Sequence, residues 1–259
     1  MQVFEFTNAI VRTPANSIVN GLREVDLGPP SLEGVRDEHA AYIRALEGAG
    51  LSVEALPPLE GFPDSVFVED TALVFRGTAI VLRPGAPTRR DEVAELAPVL
   101  QRRFDRVLQL DDGFVDGGDV LATPRCVFIG KSARTNAQGA DSLISSLAFT
   151  GMVGRSVTTP RGVLHFKSDC ALLDEESILS TARLAASGVF DGFRVIVLPE
   201  GEEAAANAVR INDHLLIASA YPRTAEMLAK LGHRIVPLPT GEIAKVDAGL
   251  SCLSLRWSE

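Results

Sequence analysis

The sequence predicts an α/β fold in which five strand–strand–helix–strand (ββαβ) units follow one another in a circle, forming a propeller-like closed domain over residues 1–259. Three observations lead there. Five helical patterns recur at intervals of roughly 40–50 residues. Runs rich in β-branched residues, about three to each interval, separate them. No Pro/Ser-rich linker or low-complexity tract divides the chain. An ordinary open α/β sheet is the alternative, because the units share a period but little sequence.

The helical patterns span residues 35–50, 88–104, 136–151, 181–190 and 223–232. In the second, Val93, Leu96, Val99, Leu100 and Phe104 recur with helical period, and glycine ends the first, third and fifth. Strand-like runs occupy 78–85, 119–123, 126–131, 177–181, 194–199, 214–220 and 233–239, bounded by Gly, Pro, Asp and Asn. Residues 249–257, GLSCLSLRW, read as one more short buried strand through Leu250, Leu253, Leu255 and Trp257.

Composition narrows the function. With 259 residues, 46% hydrophobic and 23% charged, the chain is long enough to bury a core. Its net charge is −9, and no basic cluster exceeds Arg89-Arg90 or Arg102-Arg103, which argues against nucleic acid and anionic membrane as partners. Three scattered cysteines, Cys126, Cys170 and Cys252, fit free thiols in a reducing compartment. The opening MQVFEFTNAIVRTP lacks the features of a secretion signal, and no apolar run is long enough to span a bilayer. The expectation is a cytoplasmic protein.

Four stretches put polar residues where strands want apolar ones. In PDSVFVEDTALVF (63–75), Asp64, Glu69 and Asp70 interrupt an apolar run; buried carboxylates are costly unless paired or functional, and a turn is the plain alternative. In DDGFVDGGDVL (111–121), Asp116 and Asp119 flank Gly117-Gly118, which suits a hairpin turn or a close backbone approach to a ligand. The spacing there fits neither a calcium loop nor a phosphate cradle. In VLHFKSDCALL (163–173), His165 sits in an apolar strand pattern, as a structural or a catalytic histidine; Cys170 follows, but no further His/Cys spacing supports zinc. Cys252 reads alone as a core thiol, yet one cysteine with a distant histidine and acids is also the pattern of a cysteine nucleophile.

Taken together, DSVFVEDTALV, RPGAPTRR, VDGGDVL, KSARTNAQGA, LHFKS, AANAVRIND, SAYPRT and KVDAGLSCLSLRW resemble, in that order, the dimethylarginine dimethylaminohydrolases. The likeness runs from AIVRTP (9–14) to Trp257. It implies the guanidine-modifying, five-bladed α/β propeller (pentein) superfamily, a small guanidino amino acid as partner, and no metal or organic cofactor. It implies Cys252 as nucleophile, His165 as general acid/base and Asp116 as its acidic partner. It also implies a guanidinium contact from Asp70, with Asp64, Glu69 and the backbone of Ile18 holding the amino-acid end or framing the pocket. Arg89 and Arg134 match positions that bind the substrate carboxylate, and Val246 matches a backbone contact. Ile18 and Phe166 stand where leucine is usual. A homodimer through one blade is a further implication. Two alternatives are an arginine deiminase-like enzyme acting on free arginine or another guanidine, whose chains carry an extra helical insertion, and a non-catalytic propeller that binds a partner.

Overall fold

Parallel strand pairs need a crossover long enough to carry a helix, and antiparallel pairs need only a turn; the order of apolar runs and amphipathic segments therefore translates directly into blades. In the computed structural model, which describes residues 3–75 and 77–259, fifteen strands and five α-helices are found. Met1 and Gln2 of the opening stretch, read above as carrying no secretion signal, and Arg76 lie outside the described residues.

Each of five sheets has three strands, with the middle one antiparallel to an inner strand and parallel to an outer one. In the first, β1 (Asn8–Arg12) lies between β15 (Leu255–Trp257) and β2 (Ser52–Leu56), with α1 (Leu32–Gly48) as crossover. The second holds β3 (Ala72–Phe75), β4 (Thr78–Val81), α2 (Glu92–Arg103) and β5 (Arg106–Gln109). The third holds β6 (Val120–Ala122), β7 (Val127–Lys131), α3 (Ala137–Ala148) and β8 (Gly154–Thr158). The fourth holds β9 (Cys170–Leu172), β10 (Ser177–Ser180), α4 (Ala182–Ala185) and β11 (Arg194–Val197). The fifth holds β12 (Val209–Ile211), β13 (His214–Ala218), α5 (Pro222–Lys230) and β14 (Arg234–Leu238).

The apolar faces of adjacent blades meet in five separate cores, and these close a ring. Ile10, Leu255 and Trp257 of the first blade pack with Ala72 and Val81 of the second. Leu73 and Ile80 pack with Val120 and Ile129 of the third, whose Leu121 and Phe128 pack with Leu172 and Ile178 of the fourth. Ala171 and Leu179 then meet Leu215 and Ile217 of the fifth, whose Val209 and Leu216 return to Ala9 and Val11 of the first. An open sheet would leave one of these interfaces unmade. This is the five-bladed α/β propeller that the sequence predicts. No helix among the described residues is long and apolar enough to cross a membrane.

Three local expectations change. The segment 181–190 is helical only over Ala182–Ala185, capped by the Thr181 side chain; Gly188, at φ 69°, turns the chain so that Phe190 can enter the core against Phe128. Within 163–173 only Cys170–Leu172 is strand, and His165 precedes a 3-10 turn. In 249–257, Leu250–Leu253 is a 3-10 turn and only Leu255–Trp257 is strand. There the Ser251 N–H donates to Asn207 Oδ1 (2.9 Å) instead of joining a ladder.

Every inner strand is in fact entered through such a turn: Val68–Thr71 before β3, Gly117–Asp119 before β6, Phe166–Ser168 before β9, Glu203–Ala206 before β12 and Leu250–Leu253 before β15. A cavity of about 390 Å³ lined by all five inner strands marks the axis of the ring.

Candidate active site

The five entry turns bring residues far apart in the chain to one end of the axis. Cys252 lies in the last turn, Asp70 in the first, His165 and Asp116 immediately before the third and second. Cys252, His165, Asp70, Asp64, Arg89, Arg134 and Val246 line one small hollow of about 30 Å³. Leu22, Phe67, Leu164, Asp247 and Ala248, which sequence reasoning did not single out, complete its wall. Phe67, Leu164, Asp247 and Ala248 lie inside the motifs quoted above but gave no chemical signal of their own, and Leu22 lies outside them.

Asp116 is fully buried and stands behind His165, its Oδ2 3.0 Å from Nε2 of the imidazole. Its other oxygen accepts the Gly85 N–H at 2.7 Å, and Arg134 Nη1 lies 3.5 Å from Oδ2. Gly117 and Gly118 are required by this packing. A Cβ on Gly117 would sit 1.9 Å from the Glu69 carbonyl oxygen, and one on Gly118 would sit 2.7 Å from the His165 ring. Gly118 instead donates its N–H to Asp70 Oδ1 at 2.9 Å. The donor atoms of Asp70, Asp116 and His165 lie within 4.8 Å of one another. Within that trio the two carboxylates are partly matched by the imidazolium of His165.

That matching decides the protonation states. Burial alone disfavours a charged imidazole, but the carboxylates of Asp70, Asp116 and Asp119 outweigh it and push His165 up to about 9. Burial together with the negative field of Asp70 and Glu69 pushes the Cys252 thiol up to about 12. For Asp70, burial is overcome by His165, Arg89 and the Gly118 N–H, which hold the carboxyl below its usual range. Asp64, whose Oδ1 accepts the Leu22 N–H (2.9 Å), is raised by burial against the pull of Arg89. At neutral pH the site therefore holds a neutral thiol beside a protonated histidine.

Three sequence expectations sit differently from the rest. The Glu69 side chain does not reach the hollow. It faces the axial cavity, where its Oε1 pairs with Lys167 Nζ (2.6 Å) and Arg256 Nη2 (2.9 Å); only its backbone, packed on Gly117, borders the site. Consecutive residues of a 3-10 turn project about 120° apart, so Glu69 and Asp70 point to opposite sides. Arg89 lines the hollow but is engaged by the protein: Nη1 donates to Asp70 (2.6 Å), Nε and Nη2 to Glu92 (2.9 Å each), and Nη2 to the Asp64 and Phe67 carbonyls. Arg134 is less committed, with a side chain 19% exposed. Ile18 stands one layer back; its carbonyl accepts the Gly21 N–H (2.8 Å), in a cluster where Gly21 also meets Val246 and Asp64.

Cys126 and Cys170 belong to none of this. Cys170 is buried in the core between blades three and four, and Cys126 packs at that core's edge.

Residues 30–179 match the profile of a family described as N,N dimethylarginine dimethylhydrolase, eukaryotic. The chain is 40% identical over 254 residues to the N(G),N(G)-dimethylarginine dimethylaminohydrolase of Pseudomonas aeruginosa, covering 97% of this chain and 100% of that one. It is 35% identical over 261 residues to the protein of the same name from Streptomyces coelicolor, covering 97% of each. Among solved structures it is similar to the Pseudomonas aeruginosa protein, a cysteine-to-serine mutant complexed with citrulline. The TM-score is 0.94 at 40% identity, covering 98% of this chain and 100% of that chain.

Proposed function

The chain belongs to the dimethylarginine dimethylaminohydrolase family, and from that premise we propose how its own residues perform the reaction. The protein is a hydrolase that converts Nω-methylated arginine to citrulline and the corresponding methylamine. The observation that carries the proposal is the meeting of a buried thiol, an imidazole held by an acid, and the carboxylates of Asp64 and Asp70 at one hollow.

A methylated guanidinium is a cation with a poorly electrophilic carbon. Asp70 holds it by charge-assisted hydrogen bonds and fixes its plane. Arg134, with the remaining capacity of Arg89, receives the substrate carboxylate, and Asp64 with the Val246 backbone takes the ammonium end, with Ile18 supporting them from the layer behind. At about 30 Å³ the hollow has room for about two waters. Binding an amino acid therefore requires the wall of the hollow to open.

The bound cation reverses the field that suppresses the thiolate. Cys252 releases its proton to solvent as the cation binds, and the thiolate sulfur attacks the central guanidinium carbon, giving a tetrahedral adduct. His165, protonated in the resting state, donates its proton to the methylated nitrogen. The C–N bond breaks with its electron pair on nitrogen, and dimethylamine leaves. The planar S-alkylthiouronium that remains is attacked by water. The now neutral His165 accepts one water proton, and collapse of the second adduct breaks the C–S bond with its electron pair on sulfur; the remaining hydroxyl proton passes to that sulfur, restoring the resting thiol and releasing citrulline. Asp116 keeps the imidazole aimed throughout and favours its protonated form.

Citrulline release from asymmetric dimethylarginine, monomethylarginine and arginine tests the reading. Wild type should turn over the methylated substrates. Cys252→Ser and His165→Ala should each lose on the order of 1000-fold or more in kcat while keeping the fold. A folded Cys252→Ser protein that releases citrulline at the wild-type rate would contradict it.

A further inference from the structure

Asp119 lies fully buried, lines neither the axial cavity nor the hollow, and is given no part in the reaction above. Its surroundings are all donors. Oδ1 accepts the Phe166 N–H at 2.8 Å; Oδ2 accepts the hydroxyls of Ser132 and Thr135, each at 2.6 Å. Those partners are the immediate neighbours of the reacting groups. Phe166 follows His165. Ser132 and Thr135 bracket Arg134, whose own N–H donates to Ser132 Oγ at 2.9 Å. Thr135 Oγ1, having given its proton to Asp119, accepts the Asp116 N–H at 3.2 Å. One carboxylate thus ties the backbones on which Asp116, Arg134 and His165 are mounted.

We propose that Asp119 is a positioning residue for the reaction: through Phe166, Ser132 and Thr135 it locks the imidazole, its acidic partner and the carboxylate-binding arginine into one register. The proposal rests on the roles assigned above to those three residues. A neutral core group could not replace it, because two hydroxyls and an amide would be left donating into a dry interior. Its negative charge also acts on His165 through space, alongside Asp70 and Asp116. The other charged or titratable groups lining the hollow with His165 are Cys252, Asp64, Asp247, Arg89 and Arg134. Burial raises the Asp119 carboxyl, and His165, Ser132, Thr135 and the Phe166 N–H oppose that rise.

Asp119→Asn keeps the size of the side chain and removes the charge. The readouts are the titration of the His165 imidazole by NMR and the pH profile of turnover of asymmetric dimethylarginine. The imidazole midpoint, near 9 in the wild type, should fall by about one unit. The sign follows from the acid role: kcat declines as pH rises through that midpoint, so the alkaline limb should move to lower pH. At neutral pH kcat should drop on the order of 100-fold, with a smaller change in KM. A purely structural Asp119 would lower thermal stability without moving the midpoint. A folded variant with wild-type midpoint and kcat overturns the proposal.

A second pair guards against a variant that does not fold. Thr135→Val removes the hydroxyl relay to Asp116 at constant volume and should lose about tenfold in kcat; Thr135→Ser restores the hydroxyl and should recover most of that loss. Equal kcat in all three proteins overturns the proposal by itself. The NMR titration needs no turnover. A wild type inactive on methylarginines would therefore refute the reading of function, whereas an active wild type with an indifferent Asp119→Asn variant would refute only this inference.

Discussion

Cys252 illustrates how little a residue's chemistry is decided by its type. Free cysteine ionises near about 8.5, yet burial, Asp70 and Glu69 push this thiol up to about 12. In the proposed mechanism Asp70 faces a cation once methylarginine binds, so a group that silences the resting thiol also recruits the substrate that activates it. The thiolate absorbance should therefore titrate at markedly lower pH with a bound guanidinium ligand than without; identical midpoints would remove substrate-assisted ionisation from the mechanism. His165 gives the complementary stability signature. Its folded value of about 9 exceeds the ordinary 6.5. The stabilisation from its ion pairs is thus fully present below about pH 6.5 and is lost as pH rises toward 9.

At the scale of elements, the unit that matters is the 3-10 turn at the mouth of each inner strand. Its tight pitch sends neighbouring side chains in different directions. Asp70 and Cys252 therefore face the hollow while Glu69 and Ser251 face the axial cavity. The Gly117–Asp119 turn works only because two residues lack a Cβ. Gly118→Ala would put a methyl group 2.7 Å from the His165 ring, which can retreat only by leaving Asp116. We expect Gly118→Ala to fold and to lose kcat on the order of 100-fold, measured as citrulline release. Wild-type turnover in that variant would show that the ring can shift without cost. The pattern D-x-x-D at 116–119 was visible in the sequence, and so was the glycine pair. Spacing alone does not say which of its two carboxylates holds the imidazole and which the backbone, because both flank the turn equally along the chain; only the family resemblance singled out Asp116.

The whole molecule is a ring whose closure runs through its last strand. β15 pairs with β1, joining the two ends of the described chain, and Trp257 fills the core between blades one and two against Phe104, ring centroids 5.0 Å apart. Cys252 is mounted only a few residues before it. Trp257→Ala should cost about 3–5 kcal/mol and lower the denaturation midpoint in one cooperative transition, with activity lost in the same transition. Two separated transitions would mean that the blades unfold independently of the seam.

The sequence by itself determined the repeating ββαβ unit, the positions of most strands and helices, and the identity of the groups available for chemistry. Those follow from local periodicity, turn residues and motifs that are written along the chain. Only the tertiary structure decided that the fifth core closes on the first, that Arg89 is bound to Glu92 and Asp70, and that Glu69 turns away from its neighbour's site. Each of these depends on contacts between blades, where residues many tens of positions apart compete for the same buried space and the same hydrogen-bond partners, and no spacing within a single segment records the outcome.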